Sequence, residues 1–187
     1  NTVSNDNILT ISGKDGLVSQ RDYFNKRVAS ENLEGYTLLH RGDFAYNKSY
    51  SNGYPHGAIK PLNRYDAGVV SSLYICFHLI KAEDHSHDFL RHFFEGGYFD
   101  REIYAIAQEG ARNHGLLNVS STDFFNTRLH IPSMKEQSAI AEVINTAEAE
   151  QHNFEKQLES LQQQKKGLMQ QLLTGKRRVM TEESSAS

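Results

Sequence analysis

The segment from residue 132 to residue 176 has the sequence PSMKEQSAIAEVINTAEAEQHNFEKQLESLQQQKKGLMQQLLTGK, and it determines the architecture of the chain. Its apolar residues recur at alternating steps of four and three, which is the heptad pattern of a coiled-coil helix. Gln151 and Lys165 interrupt the pattern, and polar residues at such positions tend to set register and partner choice. We call these positions the seam: Ile140, Ile144, Ala147, Gln151, Phe154, Leu158, Leu161, Lys165, Leu168 and Leu172.

The seam predicts one long helix from about residue 135 to residue 173. Ser133 and Glu136 have the spacing of a capping box at its start, and Gly175 suits the left-handed turn that follows a helix. At ~1.5 Å per residue such a helix is roughly 57 Å long. Its outer face is polar, so the apolar stripe needs a partner helix, unless the helix folds back on the rest of the chain.

The preceding residues, 1–131, have the pattern of an α+β (mixed α/β) globular domain. They contain nearly all the aromatic residues, so we expect the packed core there. Asp84 or Ser86 is a suitable N-cap for the first predicted helix, and Ser120, Ser121 or Thr122 for a later one. Strands or strand pairs are predicted at residues 7–12, 38–46, 69–78 and 116–119, and helices at residues 87–94, 100–108 and 123–125. The domains predicted are 1–131, the helix 132–176 and a disordered tail 177–187.

Composition restricts the classes of function. The net charge is −3, so a nucleic-acid-binding face would have to come from locally clustered cations. The single cysteine, Cys76, lies in an apolar run and is predicted to fill the core; a disulfide framework is impossible. No apolar run reaches the ~18 residues of a membrane span, so we expect a soluble, cytoplasmic protein without a membrane partner.

Motifs at both ends of the predicted helix resemble the conserved helical region of type I restriction–modification specificity subunits. The entry, IPSMKEQSAIA at residues 131–141, is similar to the family form I/V-P-x-x-x-E-Q-x-x-I-A. The exit, KKGLMQQLLTGK at residues 165–176, is similar to the family ending. GDFAYNKS at residues 42–49 resembles the family segment G-D-x-x-x-N/R-x-S. Residues 54–57, 68–74 and 115–120 also resemble blocks of one branch of the family.

This resemblance implies a non-catalytic DNA-recognition protein. A specificity subunit of the family has two target-recognition domains, each followed by a spacer helix, and the two helices pack as an antiparallel coiled coil. Each domain recognises one half of a split DNA target, and the helices set the gap. The partners implied are double-stranded DNA, methyltransferase subunits that bind S-adenosylmethionine and methylate adenine, and endonuclease subunits. The chain itself is expected to hold no cofactor.

The chain departs from the family pattern because it has one predicted recognition domain and one helix. It is either the C-terminal half of a longer subunit or a half-subunit that forms a homodimer. A symmetric homodimer would recognise a palindromic split target. The sequence leaves both alternatives open.

Motifs for catalysis or metal binding are weak. The chain lacks the Asn/Asp-Pro-Pro-Tyr/Phe loop of adenine methyltransferases and the phosphate-binding loop of nucleotide hydrolases, so an enzyme is not predicted. His85, His87 and His92, with Asp84 and Asp88, have types suited to zinc. A solvated helix start is the preferred interpretation, because no metal-ligand spacing supports the cluster, and no metal site is predicted.

Two polar segments carry the predicted DNA face. Residues 47–60 and 108–115 are dense in amides, hydroxyls and cations, which are the groups that hold phosphates and read base edges. The residues assigned to the face are Asn47, Lys48, Ser49, Tyr50, Lys60, Arg112, Asn113 and His114. The alternative is a coiled-coil protein–protein adaptor without DNA specificity, which explains the net charge of −3 more easily but explains neither the polar loops nor the paired family motifs.

Overall fold

The computed structural model describes residues 5–13, 15–24, 33–51, 53–112 and 116–179, and the chain divides into two compact units, residues 1–141 and 142–187. It is a mixed α+β fold of small antiparallel sheets with a long C-terminal helix. The predicted tail lies outside the described residues from residue 180 onward. The strands are β1 (Leu9–Ser12), β2 (Gly16–Ser19), β3 (Thr37–His40), β4 (Phe44–Asn47), β5 (Ala58–Pro61), β6 (Ala67–Val70), β7 (Tyr74–Phe77), β8 (Gln108–Arg112) and β9 (Leu116–Asn118). The α-helices are α1 (Gln20–Phe24), α2 (His87–Glu95), α3 (Asp100–Ile106), α4 (Ser121–Asn126) and α5 (Met134–Leu173).

Strand β4 is the centre of a three-stranded antiparallel sheet with the order β5-β4-β7. Asn47 of β4 lies opposite Ala58 of β5 and Tyr74 of β7, so both neighbours continue to the end of the strand. Pro61 ends β5, where its missing N–H is tolerated because β5 is an edge strand in this sheet. The remaining described pairs are β1 with β2, β3 with β6, and β8 with β9, all antiparallel.

The single buried strand predicted at residues 69–78 is wrong in detail, because this run forms two strands. A turn at residues 71–73 separates β6 from β7, closed by a 3.1 Å hydrogen bond from Tyr74 N to Ser71 O. Leu73 is 54% exposed at the turn despite its apolar side chain. Strand β6 pairs with β3, whereas β7 pairs with β4, so tertiary pairing divides the run.

The larger core joins the three-stranded sheet to helices α2, α3 and α4. Phe44 and Tyr46 point from β4 into this core and are 0% and 1% exposed. Tyr46 stacks on Phe124 of α4, with ring centroids 5.3 Å apart. Phe89 and Leu90 of α2 are also buried, as their helical spacing predicts.

A second, smaller core lies under the β1–β2 hairpin. Leu9, Leu17 and Leu39 are almost fully buried there. Cys76 is partly buried and packs against this core, so the prediction that it fills the core is confirmed in part. Burial raises the pKa of the Cys76 thiol to about 11, so the neutral thiol is the stable form at physiological pH.

Local capping explains where the helices of the domain begin. The Ser86 hydroxyl accepts a 3.2 Å hydrogen bond from Phe89 N at the start of α2, and the Ser120 hydroxyl accepts one of 3.0 Å from Asp123 N at the start of α4. Of the predicted candidates, Ser86 caps α2 and Ser120 caps α4, rather than Asp84, Ser121 or Thr122. The helix predicted at residues 100–108 ends at Ile106, because Gln108 pairs with Asn118 in a strand.

Helix α5 runs continuously from Met134 to Leu173, within one residue of the predicted bounds. Gln137 of its first turn is 1% exposed: its side-chain amide donates to Pro132 O at 2.9 Å and accepts from Ser86 N at 3.0 Å. Gly175 has φ of 72° just after the helix, as predicted. In the described part of the chain, no helix is both long enough and apolar enough to cross a membrane.

Candidate nucleic-acid interface

The first polar segment predicted for the DNA face begins where β4 ends. The Asn47 side-chain oxygen accepts a 3.0 Å hydrogen bond from Ser49 N, so the chain turns immediately after the strand. Asn47, Lys48 and Ser49 are half-buried, and Tyr50 is 64% exposed. Among the described residues, Lys48 has no ion-pair partner, so its ammonium is available to an anion.

The second polar segment lies directly beside the first. Leu117 N of β9 donates a 2.9 Å hydrogen bond to Lys48 O, which ties the turn to the β8–β9 hairpin. Arg112 ends β8 opposite Leu116, and only its backbone is described. Asn113 and His114 belong to the connection between these strands and lie outside the described residues. The structure therefore brings Asn47–Tyr50 and the hairpin that carries Arg112 together.

Residues 51–57, which we call the platform loop, continue from Tyr50 back to strand β5. Tyr54 N donates to Ser51 O at 2.9 Å, and Gly57 N donates to Tyr54 O at 3.2 Å. The buried hydroxyl of Tyr46 donates to His56 O at 2.8 Å from below. The rings of His56 and the exposed Tyr104 of α3 are nearly perpendicular, with their centroids 5.8 Å apart. The loop is thus held mainly by polar contacts.

Burial is the main cause of the pKa shifts of Tyr46 and Asp100 in this region. Burial raises the pKa of the Tyr46 hydroxyl, and the nearby Asp100 carboxylate raises it further, so the phenol stays neutral. Burial also raises the pKa of Asp100, while His56 acts in the opposite direction. A neutral Tyr46 hydroxyl can keep donating to His56 O over the physiological pH range, so this anchor of the platform loop is independent of pH there.

Gly57 lies against strand β4 at the end of the platform loop. Its φ is +81°, and a Cβ at this position would overlap Asn47 O and lie 2.7 Å from the Tyr46 ring. Gly53 has a similar φ of +85°, but a Cβ there meets nothing within 4 Å. The two glycines therefore share a backbone conformation and differ in available space.

Gly57→Ala is expected to lower the free energy of unfolding by at least about 3 kcal/mol, because the left-handed backbone penalty adds to a steric overlap. Gly53→Ala is the matched control and should cost only about 1 kcal/mol, the backbone penalty alone. Urea denaturation of the two variants measures the difference. Equal losses in both would show that the platform loop moves freely away from Asn47.

Lys60 does not lie on an open polar loop, where the sequence analysis placed it. It belongs to β5, its side chain is 8% exposed, and its ammonium pairs with Glu95 of α2. The same ammonium donates to Gly13 O at 3.1 Å and to the Tyr54 hydroxyl at 2.9 Å. The structure therefore does not bring Lys60 to the surface near Lys48, and β5 was missed because a four-residue strand ending in Lys-Pro has a weak pattern.

Glu95 was not identified from the sequence. It is the last residue of α2, where a negative charge is unfavourable next to the helix dipole. This unfavourable position is the local sequence signal that Glu95 forms an ion pair with a particular basic side chain. Its partner, Lys60, comes from a different part of the chain, so residue spacing could not reveal the pair.

Two of the three histidines considered for a metal site contact other groups, whereas His85 Nδ1 is buried and has no hydrogen-bond partner among the described residues. His87 Nε2 lies 3.1 Å from Gly42 O, and His92 Nε2 lies 2.9 Å from the guanidinium of Arg91. Within the described ranges, no group of three or more His, Cys, Asp or Glu side chains could hold a metal ion. Ser86, which lies between His85 and His87 in the sequence, is the N-cap of α2.

The seam of helix α5 carries large exposed apolar side chains. Phe154, Leu158 and Leu161 are 60%, 56% and 60% exposed, and Leu168 and Leu172 are 48% and 39% exposed. Gln151 donates to Glu155 at 3.1 Å along the helix. An exposed apolar stripe of this length is typical of a surface that another helix covers.

No model of a known protein family matches the chain, and no curated protein is significantly similar to it. The sequence motifs and the contacts of the interface and the seam are therefore the features that bear on function.

Proposed function

We propose that the chain recognises one half of a split target in double-stranded DNA, as the specificity component of a type I restriction–modification complex. The hydrogen bond between Leu117 N and Lys48 O carries the proposal, because it sets two polar segments side by side that are far apart in sequence. Together they supply the cationic, amide, hydroxyl and aromatic groups that hold phosphates and read base edges. The sequence motifs at residues 42–49, 131–141 and 165–176 support the same function.

Each group of the interface has a role that suits its chemistry. Lys48 and Arg112 hold phosphates or guanine, and Asn113 reads a base edge with its amide. Asn47 uses its side-chain oxygen to shape the turn, which leaves its amide N–H groups to donate to the DNA. Tyr50 contributes an exposed ring and hydroxyl next to these groups. Ser49 and His114 complete the proposed face, and Lys60 is left out of it.

The exposed seam would bring a second recognition domain to the second half of the DNA target. Two copies of α5 paired as an antiparallel coiled coil would relate two recognition domains by a two-fold axis. The length of the paired helices would then set the gap between the half-targets. In a longer subunit, a second spacer helix of the same chain would take the place of the second copy.

In this proposal the partner subunits catalyse the reactions on DNA. Methyltransferase subunits with bound S-adenosylmethionine would methylate adenine, and endonuclease subunits would cut the DNA, while this chain chooses the site. The net charge of −3 fits a module that supplies only part of the phosphate contacts, so the chain alone should bind DNA weakly. The assembled complex is therefore the appropriate test.

The proposal is tested by selecting random-sequence DNA on the chain combined with a type I methyltransferase subunit. We expect enrichment of two short half-sites at a fixed separation, and a palindrome if the chain works as a homodimer. The methyltransferase subunit alone is the control and should enrich no motif. No enrichment from a folded, assembled complex would contradict DNA recognition and leave the protein–protein adaptor as the better function.

A further inference from the structure

The ammonium of Lys60 is fully occupied inside the protein. Its three N–H donors meet three acceptors: Gly13 O at 3.1 Å, the Tyr54 hydroxyl at 2.9 Å and a Glu95 carboxylate oxygen. The side chain is only 8% exposed. Since an ammonium has three donors and no more, Lys60 has none left for a phosphate.

The partners of this ammonium come from separate parts of the fold. Gly13 follows β1, Tyr54 lies in the platform loop, and Glu95 ends α2. The Tyr54 hydroxyl also lies 2.6 Å from Glu95 Oε1 and 3.0 Å from Gly13 O, and the Tyr54 ring lies 4.9 Å from the Lys60 nitrogen. Burial and the hydrogen bond to Glu95 raise the pKa of Tyr54, so its hydroxyl keeps its proton.

This cluster is the outer anchor of the platform loop. The inner anchor is the Tyr46–His56 hydrogen bond, and between the two the described loop residues make mainly polar contacts. The loop begins directly after Tyr50, so it is continuous along the chain with the turn at residues 47–50. An ion pair whose ammonium is buried and fully hydrogen-bonded contributes little net stability but can select one geometry over others.

We propose that the Lys60–Glu95 pair positions the platform loop, and through it the Asn47–Tyr50 turn, for DNA recognition without touching the DNA. The part that concerns DNA rests on the proposed function. The part that concerns the loop stands without it.

Glu95→Gln gives the sharpest test with DNA. The loss of a negative charge and the loss of loop positioning are expected to change DNA affinity in opposite directions. Removing a negative charge from a DNA-binding protein should strengthen binding if only bulk electrostatics acted. Loss of positioning should instead weaken specific binding by about tenfold, which is the size of a typical indirect coupling. Glu83→Gln, at an exposed residue before α2, is the matched control and should leave binding unchanged or slightly tighter. Tighter binding by the Glu95 variant would overturn the proposal.

Lys60→Met separates positioning from phosphate contact. A direct phosphate contact would reduce the slope of log affinity against log salt by about one. Positioning predicts weaker specific binding with an unchanged slope, so a reduced slope would overturn the proposal. Glu95→Gln is nearly isosteric and its side chain is 39% exposed, so it keeps the test available if the Lys60 variant does not fold.

Hydrogen exchange tests the loop without any DNA. In Glu95→Gln, the amides of Tyr54 and Gly57 should exchange about tenfold faster, because their hydrogen bonds belong to the loop that is released. The amides of Ala45 and Tyr46 in β4 report global stability and should not change. Unchanged exchange in the loop would overturn the positioning role. If the loop exchanges faster but the unmodified complex selects no DNA, the proposed function fails while the anchor of the loop stands.

Discussion

Leu158→Glu combined with Leu161→Glu is expected to convert the proposed homodimer to a monomer at micromolar concentration. Both side chains are more than half exposed along α5, so a partner helix is what would cover them. In a two-fold dimer each substitution occurs twice. Burial of a leucine is worth roughly 1.5–3 kcal/mol, so losing four should weaken association by more than ~10³-fold even with a large discount for partial burial.

Light scattering with far-UV circular dichroism measures this loss. Glutamate is a good helix former, so α5 should remain helical in the variant. Val143→Glu combined with Leu173→Glu is the matched control, because these residues are 71% and 80% exposed on the same helix but lie outside the seam. The control should remain dimeric. A monomeric unmodified chain, or equal dissociation of both variants, would contradict pairing through the seam.

Lys48→Ala combined with Arg112→Ala is expected to abolish specific DNA binding by the assembled complex. A direct contact to a base or phosphate is worth about 1–3 kcal/mol, so two such losses should reduce specific affinity roughly 30-fold to 10⁴-fold. Lys48 has no ion pair among the described residues, so its removal breaks no internal salt bridge. The thermal midpoint of unfolding should therefore change little.

A titration at low salt against the selected half-site measures this effect, because low salt retains even weakened electrostatic binding. Lys156→Ala combined with Lys176→Ala removes the same two charges from exposed positions in and just after α5, and it should leave specific affinity nearly unchanged. Unchanged affinity in the Lys48 and Arg112 variant would exclude this turn and hairpin as the DNA face. Equal losses in both variants would show that only net charge matters.

The proposed split DNA target links the expected effect of the seam substitutions to that of the interface substitutions. A monomeric variant would keep its recognition domain intact and should still hold one half-site weakly. In the homodimer, binding of one domain raises the effective concentration of the other domain at the second half-site. A monomer loses this increase in affinity, which comes from the linkage of the two domains and not from any additional contact. The seam variant should therefore lose selectivity for the gap before it loses contact with a half-site.

Elements governed by near neighbours in sequence were predictable. The bounds of α5 follow from its heptads and Gly175, and the starts of α2 and α4 follow from Ser86 and Ser120. These signals act within one or two helical turns, so a pattern in the residues is enough to locate them. The same holds for the turn after Asn47, which a short polar side chain forms with its own backbone.

Contacts between distant residues were not predictable in this way. The division of residues 69–78 into two strands depends on their different partners, β3 and β4, and the buried charge of Lys60 depends on Glu95, 35 residues away. The adjacency of Lys48 and Leu117 likewise exists only after the sheet and the hairpin are packed. The residues alone therefore specified a long seamed helix after an α+β domain, because those features follow from local periodicity and capping. Packing alone specified which polar groups lie together at the surface and that the Lys60 ammonium is buried against Glu95, because burial depends on every element that surrounds a side chain.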